Sequence, residues 1–135
     1  MSINCIDAGV LSLFFMKDTP REITSLMNKV KKDSKNTFIA KEILIEVYKH
    51  LCVLKGTSYA ESILQSFFRA YNVKFVDLTH ELIIKAGKLK CHNRTKLSYN
   101  DCIAIAISLE KGAIFHTTEK NLPTIPHLRA KKYKF

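Results

Sequence analysis

A chain of 135 residues, 47% hydrophobic and 25% charged, suits one globular domain and is too apolar for a disordered segment. The formal net charge of +10 is uneven, because residues 1–84 carry 11 basic and 9 acidic side chains, whereas residues 85–135 carry 11 and 3. The basic second half indicates either a polyanionic partner, nucleic acid first, or a solubilising surface.

The apolar run over residues 10–16 is too short to span a bilayer, and no basic segment precedes it as in a signal peptide. We therefore expect a cytoplasmic protein. The four cysteines form no C-x-x-C pair, which argues against a zinc site or a redox motif. We interpret them as reduced core thiols, with a disulfide left open for a hyperthermophilic source.

The first predicted element is a short buried strand over residues 3–7, which ends at Asp7. A helix is predicted to open over residues 9–16. The sequence Thr-Pro-x-Glu that begins at Thr19 is typical of a capped helix start, and it predicts a second helix to about residue 32.

A third helix is predicted over residues 38–55, capped by Thr37 and ended by Gly56. Glu46 lies within its apolar stripe. A carboxylate at such a position is costly unless it is paired or bound to a metal. Glu42, one turn earlier on nearly the same face, is a reserve candidate for the same role.

The middle of the chain continues the alternation of helices and strands. A capping box predicts a helix over residues 58–70, a strand follows over residues 73–76, and Thr79 caps a helix to about residue 90. The inward residues of that last helix are predicted to be Leu82, Ile83, Ala86 and Leu89. The basic loop that follows carries Arg94 and Lys96, which either contact phosphates or are solvated.

The segment LSYNDCIAIAISLEKGAIFHTTEKNL is the most informative stretch. Ser98 is a predicted helix cap with Asp101 three residues later, and Gly112 ends the helix. A strand follows over residues 113–116, and Glu119 lies in the next turn. The basic tail begins at about residue 123, and its last nine residues are a possible edge strand.

This order predicts an α/β fold with three layers, α/β/α, around a mainly parallel, Rossmann-like sheet. We expect one domain over residues 1–135, with a core over about 3–122 and a basic tail over 123–135. Ligands of such folds bind outside the carboxyl ends of the strands.

Four carboxylates stand out by their positions at strand ends and on helices. Each has an ordinary explanation, such as a cap for Asp101 or a solvated turn for Glu119. If they converge, however, their repulsion requires protonation or a cation. Oxygen ligands without a Cys or His cluster favour Mg²⁺ or Mn²⁺, and such an ion beside a basic surface suits phosphodiester hydrolysis. The four residues are Asp7, Glu46, Asp101 and Glu119.

From about residue 3 to residue 122 the chain resembles PIN-domain ribonucleases, most closely the VapC-type toxins of prokaryotic toxin–antitoxin pairs. The resemblance lies in INCIDAGVLSLF, IAKEILIEVYKHL, LSYNDCIAIAISLEKGA and HTTEKNL. It implies a Mg²⁺-dependent endoribonuclease, a homodimer and a small antitoxin partner. It also implies that the four carboxylates bind metal and that Thr117 supports them.

Two positions depart from the family pattern. Gly9 stands where the family usually has Ser or Thr, and Glu119 stands where it usually has Asp. These departures leave a second hypothesis open, a non-catalytic RNA-binding domain of the same fold. A third is a housekeeping RNA-processing nuclease or a nuclease that acts on DNA.

Overall fold

The computed structural model describes residues 2–135. Within that range, five strands form one sheet in which all neighbouring strands are parallel, in the order β3-β2-β1-β4-β5. The strands are β1 (Asn4–Ile6), β2 (Thr37–Ala40), β3 (Lys74–Val76), β4 (Ile114–Thr117) and β5 (Arg129–Lys132). The predicted parallel sheet is confirmed, and the basic tail does form an edge strand.

Helices connect the first four strands in turn and cover the sheet. In the described residues they are α1 (Ala8–Phe14), α2 (Arg21–Lys32), α3 (Ile43–Lys55), α4 (Thr57–Ala70), α5 (His80–His92) and α6 (Tyr99–Lys111), with a short 3₁₀ turn at Ser34–Asn36. Right-handed connections place α1 to α4 on one face and α5 and α6 on the other. This is the predicted α/β/α architecture.

The strand order reverses between β1 and β4. The chain moves outward from β1 through β2 to β3, and then returns to β4 on the other side of β1. In register, Ile6 lies beside His116. In open parallel sheets such a reversal leaves a crevice at the carboxyl ends of the strands, where ligands bind. The crevice lies directly beyond Ile6 and Thr117.

Helix α6 contributes much of the core. Its Ala104, Ile105, Ala106 and Ile107 are at most 1% exposed, and the helix packs on β1, β2 and β4. The small Ala side chains let the helix lie close to the sheet, and the alternating branched Ile side chains fill the space between helix and sheet. The carboxyl end of α6 is set by Gly112 in the left-handed region (φ 63°), as predicted.

The predicted helix over residues 38–55 is wrong in its first part. Residues Thr37–Ala40 are strand β2, and α3 begins only at Ile43. Ile39 and Ala40 are fully buried between the helical layers. A strand buried on both faces lacks the alternation that distinguishes it from a buried helix, so the apolar run alone did not reveal it.

The predicted helix starts have mixed outcomes. Thr79 and Ser98 cap α5 and α6 through their side chains, as predicted. Thr19 does not cap α2, because its hydroxyl donates to carbonyls of the preceding turn, including Met16 O at 2.7 Å. Helix α4 begins after Gly56 without a side-chain cap, so the predicted box at Ser58 is also wrong.

Two burial predictions need correction. Ile83 was predicted to face inward but is 50% exposed. All four cysteines are free thiols, and of these Cys5 and Cys102 are core residues, whereas Cys52 is half-buried and Cys91 is exposed. The interpretation as core thiols therefore holds for two of the four. No helix within residues 2–135 is long and apolar enough to cross a bilayer.

Candidate active site

Asp7 lies at the point where the strand order reverses. It follows β1, its backbone N–H donates to His116 O on β4 (3.0 Å), and it is the N-cap of α1. Its Oδ1 accepts from Ala8 N (2.8 Å) and its Oδ2 accepts from the Thr117 hydroxyl (3.1 Å). With only 5% of its surface exposed, this carboxyl group is held in one orientation in the crevice.

The surroundings of Asp7 disfavour its charged form. Burial first, and then the negative charge of Asp101, raise the pKa of Asp7 to about 7. The charge of Glu46 adds to the increase, while the hydrogen bonds from Ala8 N and Thr117 oppose it. The charges of Asp101 on α6 and Glu46 on α3 thus both act on Asp7, so three of the predicted carboxylates interact electrostatically.

Asp101 has the predicted local role as well as this place in the centre. Its backbone N–H donates to Ser98 Oγ (3.0 Å), and its Oδ2 accepts from Ser98 N (3.1 Å), which completes a reciprocal capping box at the start of α6. The cap interpretation and the site interpretation are therefore compatible, because the cap fixes where the carboxylate points.

Glu46 contacts two polar side chains, Asn100 on α6 and His50 on its own helix. Its Oε1 accepts from Asn100 Nδ2 (2.8 Å), which joins α3 to the first turn of α6. His50, one turn along α3, places Nε2 4.0 Å from Glu46 Oε2 and Nδ1 2.8 Å from Ser12 Oγ. Asn100 left no sequence signal of this contact, because the contact depends on how two distant helices meet.

The reserve candidate Glu42 occupies a different position. It precedes the first residue of α3, and its Oε1 is buried without a hydrogen-bond partner in the described part of the chain. The charge that acts on Asp7 from this helix is that of Glu46. Glu46 is therefore the better match to the predicted helical acid.

Glu119 is connected to Asp7 through the side chain of Thr117. The Thr117 hydroxyl, which donates to Asp7, accepts from Glu119 N (3.0 Å). The Glu119 carboxylate itself accepts from Asn121 N (3.4 Å), within its own turn. Thr117 thus lies where the supporting hydroxyl was predicted, while the fourth acid is satisfied locally.

Gly9 is explained by its neighbour in space. A Cβ atom on residue 9 would overlap the Thr118 hydroxyl, so any side chain there would displace Thr118. The hydroxyl of Thr118 occupies the space beside the first turn of α1 that a larger residue 9 would use. Thr118 therefore accounts for a glycine at residue 9, where the family usually has Ser or Thr.

The donor set fits a hard divalent cation, although its members are not preassembled as a cage. A buried carboxylate whose pKa is raised by burial and by the charges of two further carboxylates is a centre whose repulsion a cation would relieve. Among residues 2–135, no three His, Cys, Asp or Glu side chains already stand as a ready metal site.

The loop before α6 contains the predicted RNA-binding residues Arg94 and Lys96, both exposed. Arg94 borders a cavity of about 780 Å³ between α5 and α6. Lys90 serves the loop itself, since its Nζ donates to Leu97 O (2.6 Å) and to Arg94 O (3.0 Å). A role of Arg94 and Lys96 in RNA binding stays a prediction.

Residues 5–128 match the model of one protein family, described as PIN domain. No curated protein matches the sequence. The fold is similar to VapBC2 from Rickettsia felis bound to a promoter DNA fragment, with a TM-score of 0.75 and 16% identity over 97% of this chain and 98% of that chain.

Two further solved structures share the fold. A toxin–antitoxin complex from Klebsiella pneumoniae has a TM-score of 0.66 and 14% identity over 93% of this chain and 94% of that chain. VapC20 from Mycobacterium tuberculosis, described as a sarcin-ricin loop cleaving toxin, has a TM-score of 0.65 and 18% identity over 82% of this chain and 85% of that chain. At these identities the likeness establishes the fold.

Proposed function

Since the chain belongs to the PIN domain family of nucleases, we propose that it is a Mg²⁺- or Mn²⁺-dependent endoribonuclease and the toxin of a toxin–antitoxin pair. The observation that carries this proposal is the buried Asp7 carboxyl group in the crevice beyond β1, opposed by the charges of Asp101 and Glu46. The shared fold with a toxin–antitoxin complex and with a toxin that cleaves the sarcin-ricin loop supports the biological role.

Asp7, Asp101 and Glu46 would hold the ion, with Glu119 as a fourth ligand. When bound, a divalent ion supplies an activated water and stabilises charge on a phosphodiester. The protein's own contribution is orientation: Ala8 N and Thr117 fix Asp7, and Asn100 fixes Glu46. Such supporting hydrogen bonds keep ligands in place before the ion arrives.

The proposed partners are an RNA substrate, a second copy of the chain and a small antitoxin, in the cytoplasm. Expression of the protein alone should arrest growth, and co-expression of a small protein encoded beside it should restore growth. If the protein cleaves RNA but its expression leaves growth normal, a housekeeping nuclease is favoured instead.

The direct test is cleavage of RNA by the purified protein with Mn²⁺ or Mg²⁺, with EDTA, and with Asp7→Asn. We expect cleavage by wild type that EDTA and the substitution both abolish. If wild type binds RNA but never cuts it with either metal, the nuclease proposal fails. A DNA substrate of the same sequence in parallel separates a ribonuclease from a nuclease acting on DNA.

A non-catalytic RNA-binding domain is the second candidate. It is favoured by the Glu119 carboxylate, which is bound within its own turn, and by the missing ready-made cage within residues 2–135. This alternative predicts RNA binding that weakens with salt but is indifferent to EDTA and to Asp7→Asn.

A further inference from the structure

A cleft of about 390 Å³ lies beside the acidic centre, between the turn after β4 and the end of the chain. Residues 118–120 form one wall, and residues 132–135 form the other. We call it the C-terminal cleft. It takes no part in the site described above, apart from Glu119, which borders both.

The cleft is joined to Asp7 through a short chain of hydrogen bonds. Tyr133 N donates to Thr117 O (2.9 Å), and the hydroxyl of Thr117 donates to Asp7 (3.1 Å). Because β4 and β5 are parallel, the residues after both strands emerge at the same edge of the sheet. An extended polymer lying along this edge would cross the acidic centre and the cleft in succession.

The wall formed by the tail is anchored by a buried residue. Tyr133 is only 4% exposed, and its hydroxyl donates to Nδ1 of the buried His116 (2.8 Å). His116 Nε2 in turn donates to Asn4 Oδ1 (2.8 Å) at the start of β1. The tail is thus tied to two strands at the cleft.

The surface of the cleft combines cations with one exposed ring. Lys120, Lys132 and Lys134 are exposed, and Glu119 is the acidic residue of the lining. Phe135 is 72% exposed, and Lys120 Nζ lies 5.5 Å from the centre of its ring. Exposed aromatic rings among cations are the elements with which proteins bind single-stranded nucleic acid, the ring by stacking on a base and the cations by contacting phosphates.

We propose that the C-terminal cleft binds the nucleotide next to the scissile phosphodiester of single-stranded RNA. Phe135 stacks on the base, and Lys132 and Lys134 contact the adjacent phosphates. The cations also offset the repulsion between the RNA backbone and the carboxylates of the centre. This inference rests on the proposed ribonuclease function, and it requires single-stranded RNA at the cleft, because only an unpaired base is free to stack on the ring.

The first test measures the binding of a labelled single-stranded RNA oligonucleotide by fluorescence anisotropy, in EDTA and in an Asp7→Asn background, so that no cleavage occurs. Lys132→Ala/Lys134→Ala should weaken binding roughly tenfold and reduce the dependence of log K on log salt by about 1.4, the value for two phosphate contacts. The matched control is Lys32→Ala/Lys35→Ala, which removes the same charge from exposed positions before the amino end of β2. Equal losses in both double variants would overturn the proposal, because they would indicate a diffuse charge effect.

The second test separates stacking from charge. Phe135→Leu keeps an apolar side chain but removes the ring, and it should weaken binding about tenfold, whereas Phe135→Tyr should bind as the Asp7→Asn parent does. Because the substituted position is exposed, neither substitution should change the melting temperature. An unchanged melting temperature confirms that the variants are folded. If Phe135→Leu binds RNA as tightly as its parent, the cleft is not the nucleotide subsite.

Failure of the subsite and failure of the function give different results. The cleft substitutions are therefore also made with Asp7 intact. If wild type cleaves RNA and these variants bind and cleave it as wild type does, the subsite is wrong and the nuclease stands. If no form cleaves RNA but the cleft variants lose binding, the nuclease proposal fails and the cleft remains an RNA-binding surface. Duplex RNA that binds as tightly as the single strand would overturn the stated substrate class.

Discussion

The acids that follow the two central strands, Asp7 after β1 and Glu119 after β4, have the same place in the topology and different surroundings. Asp7 is buried and accepts hydrogen bonds from the backbone of α1 and from Thr117. Its pKa is raised first by burial, then by the charge of Asp101, and further by that of Glu46. Glu119 is half-buried and its carboxylate bonds within its own turn.

This difference indicates that burial and neighbouring charges, rather than a position directly after a strand, determine whether a carboxylate is suited to bind a cation. Asp7 is fixed by three elements and has a strong reason to bind a cation. Glu119 has one long hydrogen bond, from Asn121 N to its Oε1 (3.4 Å), and its charge does not contribute to the raised pKa of Asp7. We therefore expect Asp7 to anchor the site and Glu119 to contribute less.

The largest expected effect is on catalysis. Asp7→Asn preserves the size of the side chain but removes the charge, and we expect the cleavage rate to fall by roughly 10²–10³-fold or more. Single-turnover cleavage of a labelled RNA at saturating Mn²⁺ measures this. Residual activity within about tenfold of wild type would show that Asp7 is not the anchor.

The negative charge of ionised Asp7 should lower the stability of the folded protein when no metal is present. Because the folded-state pKa of Asp7 is raised from 3.8 to about 7, the folded protein binds more protons than the unfolded chain between these values, and stability falls as pH rises through that range. Full ionisation costs about 4 kcal/mol at 1.36 kcal/mol per pKa unit.

Urea denaturation in EDTA at pH 4, 6 and 8 checks this prediction. Asp7→Asn should exceed wild type in stability at pH 8 and lose most of that advantage at pH 4. The comparison removes the opposite effect of His116, whose lowered pKa makes stability rise with pH in both proteins. An equal difference at all three pH values would contradict the buried-charge account.

The fit of Gly9 against Thr118 gives a smaller effect. Gly9→Ser places a Cβ atom on the Thr118 hydroxyl and should cost about 1–3 kcal/mol of stability. Gly9→Ser/Thr118→Ala removes the obstructing hydroxyl and should recover part of the loss. Thermal denaturation of the single and double variants decides this, and additive losses would show that the two positions are independent.

Glu119→Gln should have the smallest effect. Its carboxylate accepts a hydrogen bond only within its own turn. We therefore expect the cleavage rate to fall by roughly tenfold or less and the stability to stay unchanged. If this variant is as inactive as Asp7→Asn, Glu119 contributes as much as Asp7 in the catalytic state, which would contradict the expected difference between them.

The sequence predicted what depends on local chemistry. The capping box at Ser98, the left-handed Gly112 and the acid directly after β1 all follow from neighbouring residues, and all are present. Strand β2 was missed because burial on both faces removes its alternation. The contacts of Asn100 with Glu46 and of Gly9 with Thr118 join residues far apart in the chain, and no local pattern encodes them.

The central claim is that Asp7, Asp101 and Glu46 form a centre that binds a divalent cation. Isothermal titration of Mn²⁺ into metal-free protein tests it most directly. We predict saturable binding to wild type that tightens as pH rises toward 8, is lost in Asp7→Asn and is retained in Glu119→Gln. Wild type that binds no Mn²⁺, or binds it equally well without the Asp7 carboxylate, would contradict the claim.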